Sequence, residues 1–276
     1  WVTDEATRKY LAVHGREGDY KPLAPADLAY YDGVVEVALD KVRPMIALPM
    51  HPSNVYTIEE LNANLADILH KTEEDCAALV GGKVKLDLVS KIENGRLRVD
   101  QGVIAGCAGG LFDNITEAAD ILRGGSTGNG AFTLDIYPTS VPVSLELTKI
   151  GATADLLETG AVIKPSFCGP CFGAGDVPAN NGLSLRHTTR NFPNREGSKP
   201  GDGQLSGVVL MDARSIAATA ANGGYLTAAS ELTDVEYTTP DYHFDQGVYD
   251  KRVYNGWGRP EPDYELKFGP NIKDWP

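Results

Sequence analysis

The stretch "LRVDQGVIAGCAGGLFDNITEAADIL", Leu97 to Leu122, decides the fold class. An apolar run, Val103-Ile104-Ala105, is followed at once by Gly106-Cys107-Ala108-Gly109-Gly110, and then by a segment that reads as a helix. Strand, small-residue turn and helix in that order make an α/β unit. The unit recurs downstream. "GAFTLDIYPTSVPVSLELTKIG" supplies a strand, a proline-rich loop and a helix that continues through "ATADLLETG". "AVIKPSFCGPCFG" supplies a strand running into a turn with two cysteines. "SGVVLMDARSIAATAANGG" supplies a strand and an alanine-rich helix closed by Gly223–Gly224. The expected fold is α/β, a parallel or mixed sheet of about four to five strands covered by helices.

Upstream, "DEATRKYLAVHG" reads as a helix with Asp4 as N-cap and Gly15 as stop. "YDGVVEVALDKVRPMIALP" alternates at Val35, Val37 and Leu39 and reads as a strand ending at Pro44 or Pro49. "TIEELNANLADILHKTEEDCAALVGG" reads as an amphipathic helix, with Ile58, Leu61, Leu65, Ile68 and Leu69 at helical spacing. Thr57 and Glu60 have the spacing of a capping box, and Gly81–Gly82 ends the segment. From about Glu236 the chain is rich in Pro, Tyr, Gly and charge, and reads as an extended C-terminal arm.

Bulk composition narrows the function. The 276 residues are 42% hydrophobic and 23% charged, ordinary for a globular protein. Lys plus Arg is 25 and Asp plus Glu is 38, a net charge of −13, which argues against nucleic-acid binding. No apolar run approaches the ~20 residues of a membrane span. No basic segment followed by an apolar one marks a secretory signal, so a cytoplasmic location is expected. The sequence starts at Trp1 without Met and reads as a piece of a longer polypeptide.

Four cysteines are present: Cys76, Cys107, Cys168 and Cys171. They are too sparse for a disulfide scaffold. Alone, C-x-x-C fits half a zinc site, a redox dithiol, part of an iron–sulfur site or a buried turn. Cys107 follows one strand, however, and Cys168 and Cys171 follow another. Ligands of open α/β sheets bind outside the carboxyl ends of strands, so neighbouring parallel strands would bring these three thiols together. Three is informative, because a closed zinc site or an electron-transfer cluster takes four protein ligands. Three thiolates on a 4Fe-4S cluster leave one iron open as a Lewis acid. Cys76 falls on a helix and is expected in the core. The five histidines form no paired motif, and "GGSTGNG" lacks the ending of a phosphate loop. Arg186, Arg190 and Arg195 lie within ten residues, in what reads as a Gly/Pro/Asn-rich loop suited to carboxylates.

The order of motifs is specific: an apolar strand ending in G-C, about sixty residues, then C-G-P-C-F-G, then R-N-F-x-x-R, a strand and an alanine-rich helix. It resembles the aconitase family of iron–sulfur hydro-lyases, in the cluster-binding central portion of the large polypeptide. "YDGVVEVALDKVRPMIALPMHPSN" and the closing "GPNIKDWP" extend the likeness over nearly the whole chain. The resemblance implies that Cys107, Cys168 and Cys171 ligate a 4Fe-4S cluster and that Arg190 and Arg195 contact substrate carboxylates. It implies a hydratase acting on a small hydroxy di- or tricarboxylate, with no nucleic acid or membrane partner. The base would come from a C-terminal domain, and acid-side residues from an N-terminal part, both outside this sequence; the fragment alone is expected to be inactive. In these terms residues 1–50 are a remnant of the preceding α/β domain, 51–235 the cluster-binding domain and 236–276 a linker or arm. Ala108-Gly109 stands where the family usually has Thr-Asn, and Thr189 where it usually has Asn. C-G-P-C reads as nearer the aconitase branch than the isopropylmalate branch. The rival readings are an iron or redox sensor on the same scaffold and a zinc or dithiol α/β domain.

Overall fold

Val103 and Ile104 are adjacent in one strand and both fully buried, as a central strand covered on both faces requires. A computed structural model describes residues 2–82, 85–193, 205–265 and 267–269. In chain order its elements are α1 (Glu5–Val13), β1 (Met45–Ala47), β2 (Val55–Thr57), α2 (Ile58–Ala63), α3 (Leu65–Leu79), β3 (Ile92–Glu93), β4 (Arg96–Leu97) and β5 (Gln101–Ile104). There follow α4 (Gly106–Gly109), α5 (Phe112–Leu122), β6 (Thr133–Ile136), α6 (Val141–Lys149), α7 (Ala152–Glu158) and β7 (Val162–Ile163). The last are β8 (Leu183–His187), β9 (Gly207–Met211), α8 (Ala213–Ala221) and α9 (Gln246–Asp250).

Seven strands form one mixed sheet in the order β2-β1-β9-β8-β5-β6-β7. Strands β5 to β9 are mutually parallel, and β1 joins β9 and β2 antiparallel. The expected mixed α/β sheet is thus present. From β5 the chain winds outward through β6 to β7, then crosses back to β8 on the other side of β5. The carboxyl ends of β5 and β8 therefore flank the point where the winding reverses, the favoured binding position in such sheets. Helices α5, α7 and α8 pack on one another or on the sheet, around an apolar core that includes Ile104, Ile115, Leu122, Leu134, Leu156 and Ile216.

Three local expectations change. The helix over 57–80 is divided at Asn64, although its Thr57–Glu60 capping box and buried Leu61, Leu65 and Leu69 are present. Val35 and Val37 are not in a strand; both side chains are exposed, and only Met45–Ala47 of that stretch pairs. Alternation there has no neighbouring strand to bury it. Conversely Arg186, read as part of a Gly/Pro/Asn-rich loop, lies in β8, the strand beside β5.

Two compact units are distinguished, Trp1–Phe244 and Asp245–Pro276. In the first, the chain beyond Glu236 returns to the helices: Thr238 N–H donates to Asp120, Tyr242 packs on Phe112 at 5.1 Å, and His243 Nδ1 lies 3.0 Å from Glu146 Oε1. In the second, α9 is capped by the Asp245 carboxylate. No helix among the described residues is long and apolar enough to cross a membrane.

Candidate functional site

Cys107 lies in the single turn α4, immediately past the carboxyl end of β5. Cys168 and Cys171 bracket a short turn, Gly169–Cys171, a few residues past the carboxyl end of β7. Since β5, β6 and β7 are parallel neighbours, both turns emerge at the same edge. Glycines let them approach. Gly106 has φ +73°, and a Cβ on it would lie 2.7 Å from Cys171 Sγ. A Cβ on Gly109 would lie 2.0 Å from the His187 carbonyl oxygen, and one on Gly110 2.3 Å from the Tyr137 carbonyl oxygen. The turn carrying Cys107 is therefore seated between the ends of β8 and β6, with Ala105 N–H donating to His187 O and Thr139 N–H to Gly110 O. This close seat leaves no room for a side chain at Gly109.

Cys107 and Cys168 are exposed, Cys171 is buried, and all three are free thiols. Burial pushes the Cys171 thiol up to about 11, the neighbouring Cys168 and Cys107 add to this, and the Thr189 backbone N–H opposes it. A cavity of about 250 Å³ lies between Cys107 and Cys168, lined also by Gly106, Pro138, Thr139, Ser166 and Phe167. The Ser166 hydroxyl is buried there without a hydrogen-bond partner. Among the described residues, no three His, Cys, Asp or Glu side chains stand close enough to hold a single metal ion. The donor set, the glycine cradle and the orphaned hydroxyl fit an iron–sulfur group. A larger cavity, about 790 Å³, beside Pro44, Met45 and Arg214 contains no cysteine.

The arginines separate. Arg190 is exposed beside the site, its Nη1 donating to Thr189 Oγ1 at 2.9 Å. Asn191 is buried and donates from Nδ2 to the Leu48 carbonyl at 2.8 Å, fixing the chain after β8 to the chain after β1. Arg195 lies outside the described residues. Arg186, placed by the sequence in the same loop, is instead inside β8 and fully buried. Its Nη1 donates to Pro170 O at 2.6 Å, its Nη2 to Asp176 O at 2.8 Å and its Nε to Ser184 Oγ at 3.0 Å. Cys76 is in the core, its Sγ 3.2 Å from Pro49 O.

Sequence reasoning missed a polar group under the cysteine loop. Lys164 Nζ pairs with Asp135 Oδ1 at 2.9 Å and with Asp176, which also accepts from the Tyr137 hydroxyl. Burial raises the Asp135 carboxyl above its usual range, against the opposing pull of Lys164. Burial also raises Tyr137, to about 12, helped by Asp176. Burial alone would lower Lys164, but its two carboxylates outweigh this and raise it. The only sequence signal was a charged residue inside an otherwise apolar strand, at Asp135.

The chain is similar to several curated proteins. The chain is 26% identical over 230 residues to the 3-isopropylmalate dehydratase large subunit of Caldanaerobacter subterraneus subsp. tengcongensis, covering 83% of this chain and 45% of that one. It is 27% identical over 233 residues to the 3-isopropylmalate dehydratase large subunit of Desulfovibrio desulfuricans, covering 84% and 46%. It is 26% identical over 230 residues to the 2,3-dimethylmalate dehydratase large subunit of Eubacterium barkeri, covering 83% and 45%. The chain thus spans less than half the length of these curated relatives, whose names are those of substituted-malate dehydratases and not of the aconitase branch that C-G-P-C suggested. The family model of aconitase (aconitate hydratase) matches residues 1–218, and the chain belongs to the aconitase family.

Proposed function

We propose that this chain is the cluster-holding part of a hydro-lyase that reversibly removes water from a hydroxy di- or tricarboxylate. The observation that carries the reading is the convergence of Cys107, Cys168 and Cys171 at one sheet edge. Family membership implies an iron–sulfur cluster. The three cysteine thiolates would hold it, leaving one position open. When bound, it supplies a Lewis acid that polarises the departing hydroxyl. The remaining tasks fall to side chains. The Arg190 guanidinium, exposed one residue from the backbone N–H that serves Cys171, offers a fork to a substrate carboxylate. Arg195 would do the same. The Ser166 hydroxyl, without a protein partner, is free to hydrogen-bond a group entering the cavity. The base that takes the α-proton comes from the part of the enzyme outside this chain, so the 276 residues alone do not turn over.

The names of the relatives support a malate bearing alkyl groups at C2 or C3 as the substrate class. Their designation as large subunits supports a smaller second subunit as partner. The test is anaerobic reconstitution of the whole enzyme with iron and sulfide, followed by hydratase assays on substituted malates and on citrate. Turnover of a substituted malate, with Arg190→Lys raising KM at least tenfold, is expected. A well-folded whole enzyme that binds no iron and hydrates neither class contradicts the reading.

A further inference from the structure

The two faces of the sheet are covered differently. Helices α5 and α8 cover one, through Ile104, Leu134 and Ile216. On the other, Val103 of β5 is in register with Asp135 of β6 and Arg186 of β8, so these three side chains share a face. Val103 packs only with Ala105 and Tyr137 in a small apolar group of its own. The cover here includes the loop from Lys164 to Asp176, which carries Cys168 and Cys171. Its contacts with the sheet are polar: Arg186 to the Pro170 and Asp176 carbonyls, and Asp176 to Lys164 and Tyr137.

Burying an arginine is costly, and hydrogen bonds in good geometry are needed to offset it. Here the fork is spent on main-chain carbonyls of one loop. Pro170 lies between the two cysteines and Asp176 five residues beyond the second. Nε is held by Ser184 Oγ, which itself donates to Gln101 Oε1 at 2.7 Å, so the guanidinium is aimed from two central strands. Lys164 and Asp176 close the loop's ends.

We propose that Arg186 is a positioning residue. It holds the C-G-P-C loop in its ligand-presenting shape before any cluster is bound, and the Lys164–Asp176 pair fixes the loop's ends. This rests on the reading of Cys168 and Cys171 as ligands, but its geometry concerns the metal-free chain. Preorganised ligands lose less freedom on capture, and groups behind ligands commonly set their aim.

The test reads each cysteine separately. The metal-free 276-residue chain is treated with iodoacetamide under native conditions, and alkylation at each cysteine is followed by mass spectrometry. In the wild type, exposed Cys107 and Cys168 react, whereas Cys171 reacts at least tenfold more slowly. Arg186→Gln is expected to raise the Cys171 rate tenfold or more while Cys76, buried in the helical core, stays protected. Arg186→Lys keeps the charge but reaches only one carbonyl, and should fall between the two. Asp176→Asn should raise the Cys171 rate several-fold. If Arg186→Gln exposes Cys76 together with Cys171, the whole core has opened, and Arg186→Lys decides. A gain at Cys171 alone in that variant supports the proposal; protection equal to wild type, or joint loss at Cys76, overturns it. The same variants are then loaded anaerobically with iron and sulfide. Arg186→Lys should lose its visible absorbance on air exposure several-fold faster than wild type; an equal rate counts against the proposal. A wild-type chain that takes up no iron, while Cys171 still responds to Arg186, would refute the ligand reading and leave the loop anchor standing.

Discussion

Cys171 and Gly106 show how one contact shapes the site. The cysteine is buried because the glycine has no side chain to displace it, and the two turns close on each other there. Gly109 works in the same way against the His187 carbonyl. Gly109→Ala would force a shift at the end of β8 and is expected to destabilise the fold by about 1–3 kcal/mol, measured by chemical denaturation. A second residue-scale prediction concerns Cys76, whose thiol burial pushes up to about 12. Its proton is held more tightly in the folded chain than in the unfolded one. The associated stability is complete below the ordinary thiol range and is lost as pH rises toward 12. Between pH 8 and 10.5 the wild type should lose on the order of 1–2 kcal/mol more than Cys76→Ala. Equal losses in the two proteins contradict it. The shared sheet edge of Cys107, Cys168 and Cys171 was legible because each follows a recognisable strand. The network of Asp135, Tyr137, Lys164 and Asp176 was not, because its members meet only through the tertiary fold.

At the level of elements, local signals worked where one element satisfied itself. Asp4 accepts from Thr7 N–H, and Thr57 and Glu60 form their reciprocal box. Thr57→Ala should cost about 1 kcal/mol in denaturant unfolding, and Thr57→Ser almost nothing. Strands depend on partners, and there the reading failed in both directions. Val35 and Val37 alternate as strand residues do, yet among the described residues no strand pairs with them and they remain exposed. Leu183-Ser184-Leu185-Arg186 also alternates, but the arginine and the flanking Asn and Thr disguise a central strand as a loop. Its charge is made tolerable by acceptors that include the Ser184 hydroxyl and two carbonyls of the cysteine loop. The local alternation in β8 was the missed signal.

For the whole molecule, topology does the chemical work of assembly. Reversal of the winding at β5 places the turn after β5 beside the chain leaving β8, while β6 and β7 bring the C-x-x-C turn to the same edge. The α/β class and this edge followed from the order of strands and helices. The number of strands and the antiparallel β1–β2 extension did not, since Met45–Ala47 was read only as the end of a longer strand and Val55–Thr57 is too short to announce itself. The chain covers less than half the length of the curated relatives it matches. The most direct measurement is iron and sulfide content after anaerobic loading of the chain and of its four single cysteine-to-serine variants. About four irons are expected per wild-type or Cys76→Ser chain, with loss or a marked fall for Cys107→Ser, Cys168→Ser and Cys171→Ser. One zinc per chain, unaffected by Cys107→Ser, would contradict this expectation.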